Sequence, residues 1–169
     1  MPSVGVTYQV NEALQLLAGV YRGFSPTSVK SDNFEESTNS EFGIRYIGNG
    51  FSFSAIAFMS DYKNLTGTCT ASSGGDCDIG DSFSAGEAEV SGLELSFAWL
   101  PSLIDGIETP VTFAYTFQET EFQDSFKSGY GLWGEVKTGD EFAYMPENLL
   151  NLTIGIHSDK WGVDATVNF

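Results

Sequence analysis

Apolar and polar residues alternate along most of this chain. In residues 93–99, 111–117, 150–156 and 161–169, apolar side chains occupy nearly every second position, with small or polar residues between them. This is the period of a β-strand, whose successive side chains point to opposite faces. Helical periodicity is not found in any long stretch. The pattern therefore predicts an all-β protein whose strands have one apolar and one polar face.

The alternation predicts eight antiparallel strands. They lie near residues 3–10, 13–24, 41–47, 51–62, 87–100, 110–120, 148–157 and 160–169. The fourth strand changes phase, because Phe51 and Phe53 follow one alternation and Ile56 and Phe58 follow the other. A β-bulge near Ala55 would reconcile the two phases.

The connections between the predicted strands alternate between short and long. Short ones lie at 11–12, 48–50, 101–109 and 158–159, and long polar ones near 25–40, 63–86 and 121–147. Outer-membrane barrels combine short periplasmic turns with long extracellular loops. We therefore predict strands that cross an outer membrane. Both ends of the chain would then lie on the extracellular side, which predicts an internal segment of a larger barrel.

The alternation also assigns a face to each side chain. The apolar set should face lipid and the polar set a wet lumen, because a charged residue facing lipid near mid-membrane costs on the order of 2 kcal/mol or more. The candidate lumen-facing residues are Arg45, Glu94, Gln118, Asn151, Asp164 and Asn168. Tyr46, Trp99 and Trp161 lie at the short-turn ends, where an interfacial aromatic belt is expected.

The charge of the chain argues against nucleic acid as a partner. Seven basic residues stand against 23 acidic ones, a net charge of −16, so a phosphate backbone would be repelled. Residues 25–40, 63–86 and 119–148 together carry 13 of the acids and 4 of the bases. An acidic mouth favours cations, or divalent bridging to lipopolysaccharide, over an anionic ligand.

Two cysteines flank a turn-rich stretch in one long connection. Cys69 and Cys77 enclose Gly, Ser and Thr residues, and in an exported loop we expect them to form a disulfide that closes a small ring. The alternative is a pair of free thiols in a cytosolic protein. No histidine or further cysteine stands nearby to make a metal site.

No catalytic constellation is apparent, so we do not expect an enzyme. His157 is the single histidine, and it lies at a strand end beside a turn. Asp76, Asp78 and Asp81 around Gly80 resemble a small calcium loop. Their spacing departs from the EF-hand pattern and no terminal Glu follows at the right distance, so we predict neither a metal site nor a cofactor.

A series of motifs resembles the barrel of TonB-dependent receptors. The motifs are, in order, AGVYRGFSP at 18–26, EES at 35–37, EFGIRY at 41–46, GLEL at 92–95, and YMPEN at 144–148 before the strand 149–154. The loop CTASSGGDC at 69–77 is most similar to ferric-dicitrate-type receptors. Together the motifs cover nearly the whole chain.

The resemblance implies a barrel of about 22 strands with a plugged lumen in the bacterial outer membrane. Such a receptor takes up an iron chelate, for example a siderophore or ferric citrate, with energy supplied by TonB. Its partners would be outer-membrane lipid and lipopolysaccharide, the chelate, and TonB through the plug domain. Residues 1–169 would be a partial β-barrel domain, because the sequence contains no TonB box, plug domain or final strands.

Two other classes of protein fit the same alternation. A small, complete eight-stranded outer-membrane barrel with a structural or adhesive role would have both termini in the periplasm. A soluble extracellular β-sandwich that binds a partner would have to bury its apolar faces against each other as a core.

Overall fold

The computed structural model describes residues 1–25, 34–69, 78–80, 82–101, 105–127 and 134–169. The regular secondary structure of these residues consists of β-strands, and no helix among them is long and apolar enough to span a membrane. The strands are β1 Ser3–Gln9, β2 Leu14–Ser25, β3 Glu35–Gly48, β4 Phe51–Thr68, β5 Ser82–Trp99, β6 Ile107–Glu108, β7 Val111–Phe122, β8 Phe126–Lys127, β9 Glu135–Val136, β10 Asn148–Ser158 and β11 Gly162–Asn168. The predicted all-β class is confirmed.

Eight long strands form one antiparallel sheet in chain order. The order is β1-β2-β3-β4-β5-β7-β10-β11, and the short β6 pairs with the end of β10. Short turns can join only antiparallel neighbours, which explains the sequential order. The turn between β3 and β4 has positive φ at Asn49 and Gly50, as a two-residue hairpin requires. Among the described strands, β1 and β11 are each paired on one side only, so the sheet is open.

Several strands are longer than the alternation predicts. β3 begins at Glu35 rather than near residue 41, β4 continues to Thr68, and β5 begins at Ser82. These extensions all lie at the end of the sheet where the long connections emerge, here called the long-loop end. Both faces of a strand can be polar there, so the backbone pairs without an apolar alternation in the sequence.

The bulge predicted near Ala55 is wrong. The pairing of β4 with β3 and with β5 is continuous through this region, with Ala55 opposite Ile44 on one side and Leu95 on the other. The register shifts occur instead around Leu65, at the long-loop end. Asn64 has a φ of 53° just before the first displaced pair.

Ile56 and Phe58 consequently lie on the polar face of the sheet. Two glycines on neighbouring strands leave room for them: a Cβ on Gly92 would lie 2.8 Å from Cζ of Phe58, and a Cβ on Gly43 would lie 2.9 Å from Cγ1 of Ile56. The phase change in β4 is therefore accommodated by side-chain packing and not by the backbone.

A small apolar core lies at the long-loop end. Ala88, Phe122 and Val136 are buried, and the rings of Phe142 and Phe126 lie 4.4 Å and 5.4 Å from that of Phe122. Val136 belongs to the two-stranded sheet of β8 and β9, so this cluster holds that hairpin against the main sheet. The long connection from β7 to β10 is thus folded onto the sheet, in its described part.

Replacing Phe122 by Ala should release this hairpin. Phe122 is 1% exposed, and truncating a phenylalanine at such a site costs about 3–5 kcal/mol. We expect faster protease cleavage between β7 and β10 while the main sheet stays intact. Phe42→Ala is the control, because Phe42 is 60% exposed and lies elsewhere on the sheet. Equal cleavage of both variants would contradict the role given to the cluster.

Candidate functional site

The pairing register sorts the side chains onto two faces of the sheet. Residues directly opposite each other in antiparallel strands share a face, so a row can be followed from strand to strand. One row crosses the whole sheet through Gln9, Gln15, Arg45, Ser54, Ser96, Ala114, Asn151 and Asn168. The face that carries this row is called the polar face, and the opposite one the apolar face.

The apolar face is a continuous aromatic and aliphatic surface. A representative row passes through Leu14, Tyr46, Phe53, Phe97, Phe113, Leu152 and Val167. Many large side chains of this face are exposed, including Val6 at 62%, Phe42 at 60% and Val163 at 63%. In the described part of the chain, no second sheet covers it. A β-sandwich would bury this face, so the structure does not support that alternative.

The apolar face is a band with different chemistry at its two edges. Tyr46, Trp99 and Trp161 lie at the short-turn edge, where the ring of Phe51 is 5.5 Å from that of Tyr46 and 5.1 Å from that of Phe97. At the other edge a row of mostly charged residues crosses five strands through Arg22, Thr38, Asp61, Glu89 and Glu121.

The height of the apolar band suits a membrane. On β4 it extends from Phe51 to Met59, and Asp61 begins the charged row. Nine strand residues span about 26 Å, or about 20 Å along the membrane normal at the roughly 40° tilt of barrel strands, close to the ~25 Å apolar band of such barrels. The aromatic and charged edges are what a lipid-embedded strand needs at its two interfaces.

All six residues predicted to face the lumen lie on the polar face. The register puts Arg45, Asn151 and Asn168 in one row and places Glu94, Gln118 and Asp164 on the same face. Asn151 Nδ2 donates to Asn168 Oδ1 at 2.6 Å. Gln118 Nε2 donates to the carbonyl of Pro146 at 3.0 Å. That this face lines a lumen stays a prediction.

Hydroxyl pairs continue the hydrogen bonding across the polar face. Ser54 and Ser96 are joined at 2.7 Å, and Thr153 and Thr166 at 2.9 Å. These residues are exposed or half-buried, and each pair lies directly across neighbouring strands. The face therefore combines satisfied polar groups with access to solvent, as a wet surface requires.

His157 is paired with Asp164 and is not isolated. Its Nε2 lies 2.9 Å from Oδ1 of Asp164, near the short-turn end of β10 and β11. Gly155 and Gly162 leave the space that this contact occupies, since a Cβ on either would lie within 3 Å of one of the two side chains. The alternation could not reveal the pair, because it depends on hairpin register. No group of three metal-ligating side chains occurs among the described residues.

A shallow cavity of about 230 Å³ lies on the polar face between β2, β3, β4 and β5. Tyr21, Glu41, Ile56, Phe58 and Glu94 provide polar-face side chains to it. Neither glutamate makes a salt bridge within the described part of the chain. The site thus presents two carboxylates beside aromatic rings, which is suited to a cationic group.

Sequence reasoning found Glu94 but not Glu41 or Tyr21 in this cavity. Glu41 stands at the start of a predicted strand, and Tyr21 was not distinguished from the other strand aromatics. Gly19, which lies directly opposite Glu41, is the sequence feature that could have pointed to this cavity. A Cβ on Gly19 would lie 3.0 Å from Oε1 of Glu41, so the small residue makes room for the carboxylate.

The remaining candidate residues lie in the long connection between β4 and β5. Cys69 is buried at 2% exposure, whereas Cys77 is outside the described residues, so their pairing stays a prediction. Asp78 is exposed. Asp76 and Asp81 also lie outside the described residues.

The sequence of the chain matches the model of a known protein family. The model described as TonB dependent receptor-like, beta-barrel, matches residues 1–169, the whole length of the chain. The chain belongs to the TonB-dependent receptor family. Its members are proteins of the bacterial outer membrane, so the predicted localisation is confirmed, as are the family resemblance and the antiparallel barrel fold.

Solved structures agree with this assignment of fold. The chain is 16% identical to the ferric yersiniabactin uptake receptor FyuA from Yersinia pestis, with a TM-score of 0.67 over 98% of the chain. It is 19% identical to the alcaligin outer-membrane receptor FauA from Bordetella pertussis, with a TM-score of 0.63 over 99%. The siderophore receptor PirA from Pseudomonas aeruginosa is 19% identical, with a TM-score of 0.52 over 99%. No curated protein sequence matches the chain.

The chain is much shorter than these solved receptors. The alignments cover 24% of FyuA, 28% of FauA and 35% of PirA. An open sheet of eight long strands is consistent with a part of such a barrel.

Arginine substitutions on adjacent residues of β5 should separate the two faces. Leu95 lies on the apolar face and Ser96 on the polar face. Arg on a lipid-facing strand position costs about 2–4 kcal/mol at mid-membrane, so Leu95→Arg should lower the free energy of unfolding in lipid vesicles by that amount. Ser96→Arg, the matched control, should lower the free energy of unfolding by only about 1 kcal/mol, because it removes the hydrogen bond between Ser96 and Ser54. Equal losses would contradict the assignment of the faces.

Proposed function

We propose that this chain is a barrel segment of an outer-membrane receptor that takes up an iron chelate in a TonB-dependent manner. The observation that carries the proposal is the family match over the entire chain, together with a sheet that has one exposed apolar face and one polar face. The three similar solved receptors are named for siderophores or for their uptake. The function is transport and not catalysis.

The open edges of the sheet favour a segment over a small complete barrel. A closed eight-stranded barrel would pair β1 with β11, whereas each of these strands has a partner on one side only. Further strands of the same barrel would pair with both edges. Residues 1–169 would then be a partial barrel domain of roughly a third or less of the receptor.

The membrane partners follow from the two edges of the apolar band. Lipid chains would contact the apolar face, and lipopolysaccharide would contact the mostly acidic row of Asp61, Glu89 and Glu121 through divalent cations.

The location of the receptor outside the cytoplasm favours a Cys69–Cys77 disulfide, because that environment is oxidising. The buried position of Cys69 is compatible with that bond.

The cavity on the polar face would bind the domain that plugs the lumen. Glu41 and Glu94 are exposed carboxylates at mid-depth of the sheet, beside the rings of Tyr21 and Phe58. A guanidinium group fits this combination, because it pairs with carboxylates and stacks on aromatic rings. We infer that an arginine of the plug domain occupies the cavity and holds the plug to this wall of the barrel.

Iron uptake by a strain that carries or lacks the intact gene tests the proposed function. We expect radiolabelled ferric siderophore to accumulate only in cells that have both the gene and TonB, because the chelate must be released inward against its gradient. Accumulation that is the same without the gene, for every chelate class tried, would contradict the proposal.

Neutralising the cavity should loosen the plug. We expect the double variant Glu41→Gln and Glu94→Gln of the intact receptor to admit large hydrophilic antibiotics and to lose uptake, because a plug arginine would lose both charge partners. Glu12→Gln and Glu108→Gln, two exposed glutamates at the short-turn end of the sheet, form the matched control and should leave both properties unchanged. Antibiotic sensitivity that is equal in the two double variants would contradict this docking.

A further inference from the structure

The connection between β7 and β10 contains an aromatic residue in an unusual position. Tyr144 is 84% exposed and has a φ of 63°. Left-handed backbone is uncommon for residues other than Gly, Asn and Asp, and for a bulky residue it costs roughly 1–3 kcal/mol that the surrounding structure must offset. An exposed ring that makes no buried contact offsets little of this cost.

The two flanks of Tyr144 are fixed to β7. On one side, the amide of Phe142 donates to Oγ1 of the buried Thr120 at 2.9 Å, and the Phe142 ring packs against Phe122. On the other side, Gln118 donates from its backbone amide to the carbonyl of Glu147 at 2.8 Å and from Nε2 to that of Pro146 at 3.0 Å. Tyr144 therefore stands at the tip of a turn whose two ends are held on one strand.

The turn that carries Tyr144 lies outside the apolar band that would face lipid. It lies beside residues 118–122 of β7, beyond the apolar row that ends at Phe117. Glu141 and Glu147 flank it, and both are exposed. The side chains that hold the turn, those of Gln118 and Thr120, both lie on the polar face, so the turn stands on the side of the sheet away from lipid.

We propose that Tyr144 is a specificity-determining residue of the receptor and contacts an incoming iron chelate that carries no net negative charge. This inference rests on the proposed function. A rigid aromatic ring supplies contact area at low entropic cost, and its face attracts cationic groups. Residues 119–147 carry seven acids and two bases, so an anionic chelate would be repelled before it reached the ring. The receptor would therefore select a cationic or neutral iron chelate and reject the anionic ferric citrate.

Binding of defined chelates to the intact receptor tests the proposal. The probes are a cationic ferric trihydroxamate and the anionic ferric dicitrate, each with radiolabelled iron, on cells that lack TonB so that binding is measured without transport. We expect the cationic probe to bind more tightly. We also expect Tyr144→Asn to weaken that binding roughly 10-fold, as loss of a cation–π contact predicts.

Two further variants separate recognition from folding. Asn tolerates left-handed backbone, so Tyr144→Asn should keep or improve the protease resistance of the connection while it loses ligand binding. Tyr144→Phe retains the ring and should bind nearly as well as the parent. Met145→Ala, at the adjacent residue of 38% exposure, is the matched control and should bind normally.

The outcomes distinguish this inference from the proposed function. Tighter binding of ferric dicitrate, or unchanged binding by Tyr144→Asn, would overturn the inference and leave iron uptake standing. Failure of the receptor to bind either probe would overturn the inference alone, whereas failure to support TonB-dependent uptake of any chelate class would overturn both.

Discussion

The fixed alternation of side chains along paired strands is the constraint on which this structure depends. Every residue of a strand faces one of two environments, and the register carries each choice to the neighbouring strands. A shift of one residue on β5 would bring Glu94 to the face of Leu95 and Phe97. Because one face is apolar and the other polar over eight strands, such a shift is costly, and the register is uniquely specified.

This constraint also explains why few apolar side chains are fully buried in the described part of the chain. Burial in a soluble protein removes apolar side chains from water by packing them together. Here many of the large apolar residues on the sheet are exposed, and the buried cluster around Phe122 lies where the long connection folds back. Lipid would supply the missing contacts for the apolar face. The rest of the barrel and its contents would supply those for the polar face.

The faces were predictable from sequence because each position had only two possible environments. Arg45, Glu94 and Asn151 were placed on one face from period alone, and the pairing agrees. The strand ends were less accessible, since residues 35–40 pair outside the apolar band and need no alternation. The phase change at Ile56 and Phe58 was misread as a bulge, because the glycines that accommodate it are distant in sequence. The folded connection and Tyr144 depended on contacts with β7 that no local pattern encodes.

Solvent accessibility measured residue by residue along β5 tests the central claim most directly. Spin labels would be placed one at a time at positions 93 to 98 of the receptor in outer membranes. The relaxation of each label by lipid-soluble oxygen and by a water-soluble nickel complex would then be measured. The two-faced barrel predicts that Leu93, Leu95 and Phe97 respond to oxygen and that Glu94, Ser96 and Ala98 respond to nickel or are shielded from both agents. Nickel accessibility at the apolar positions, or a response without alternation, would contradict it.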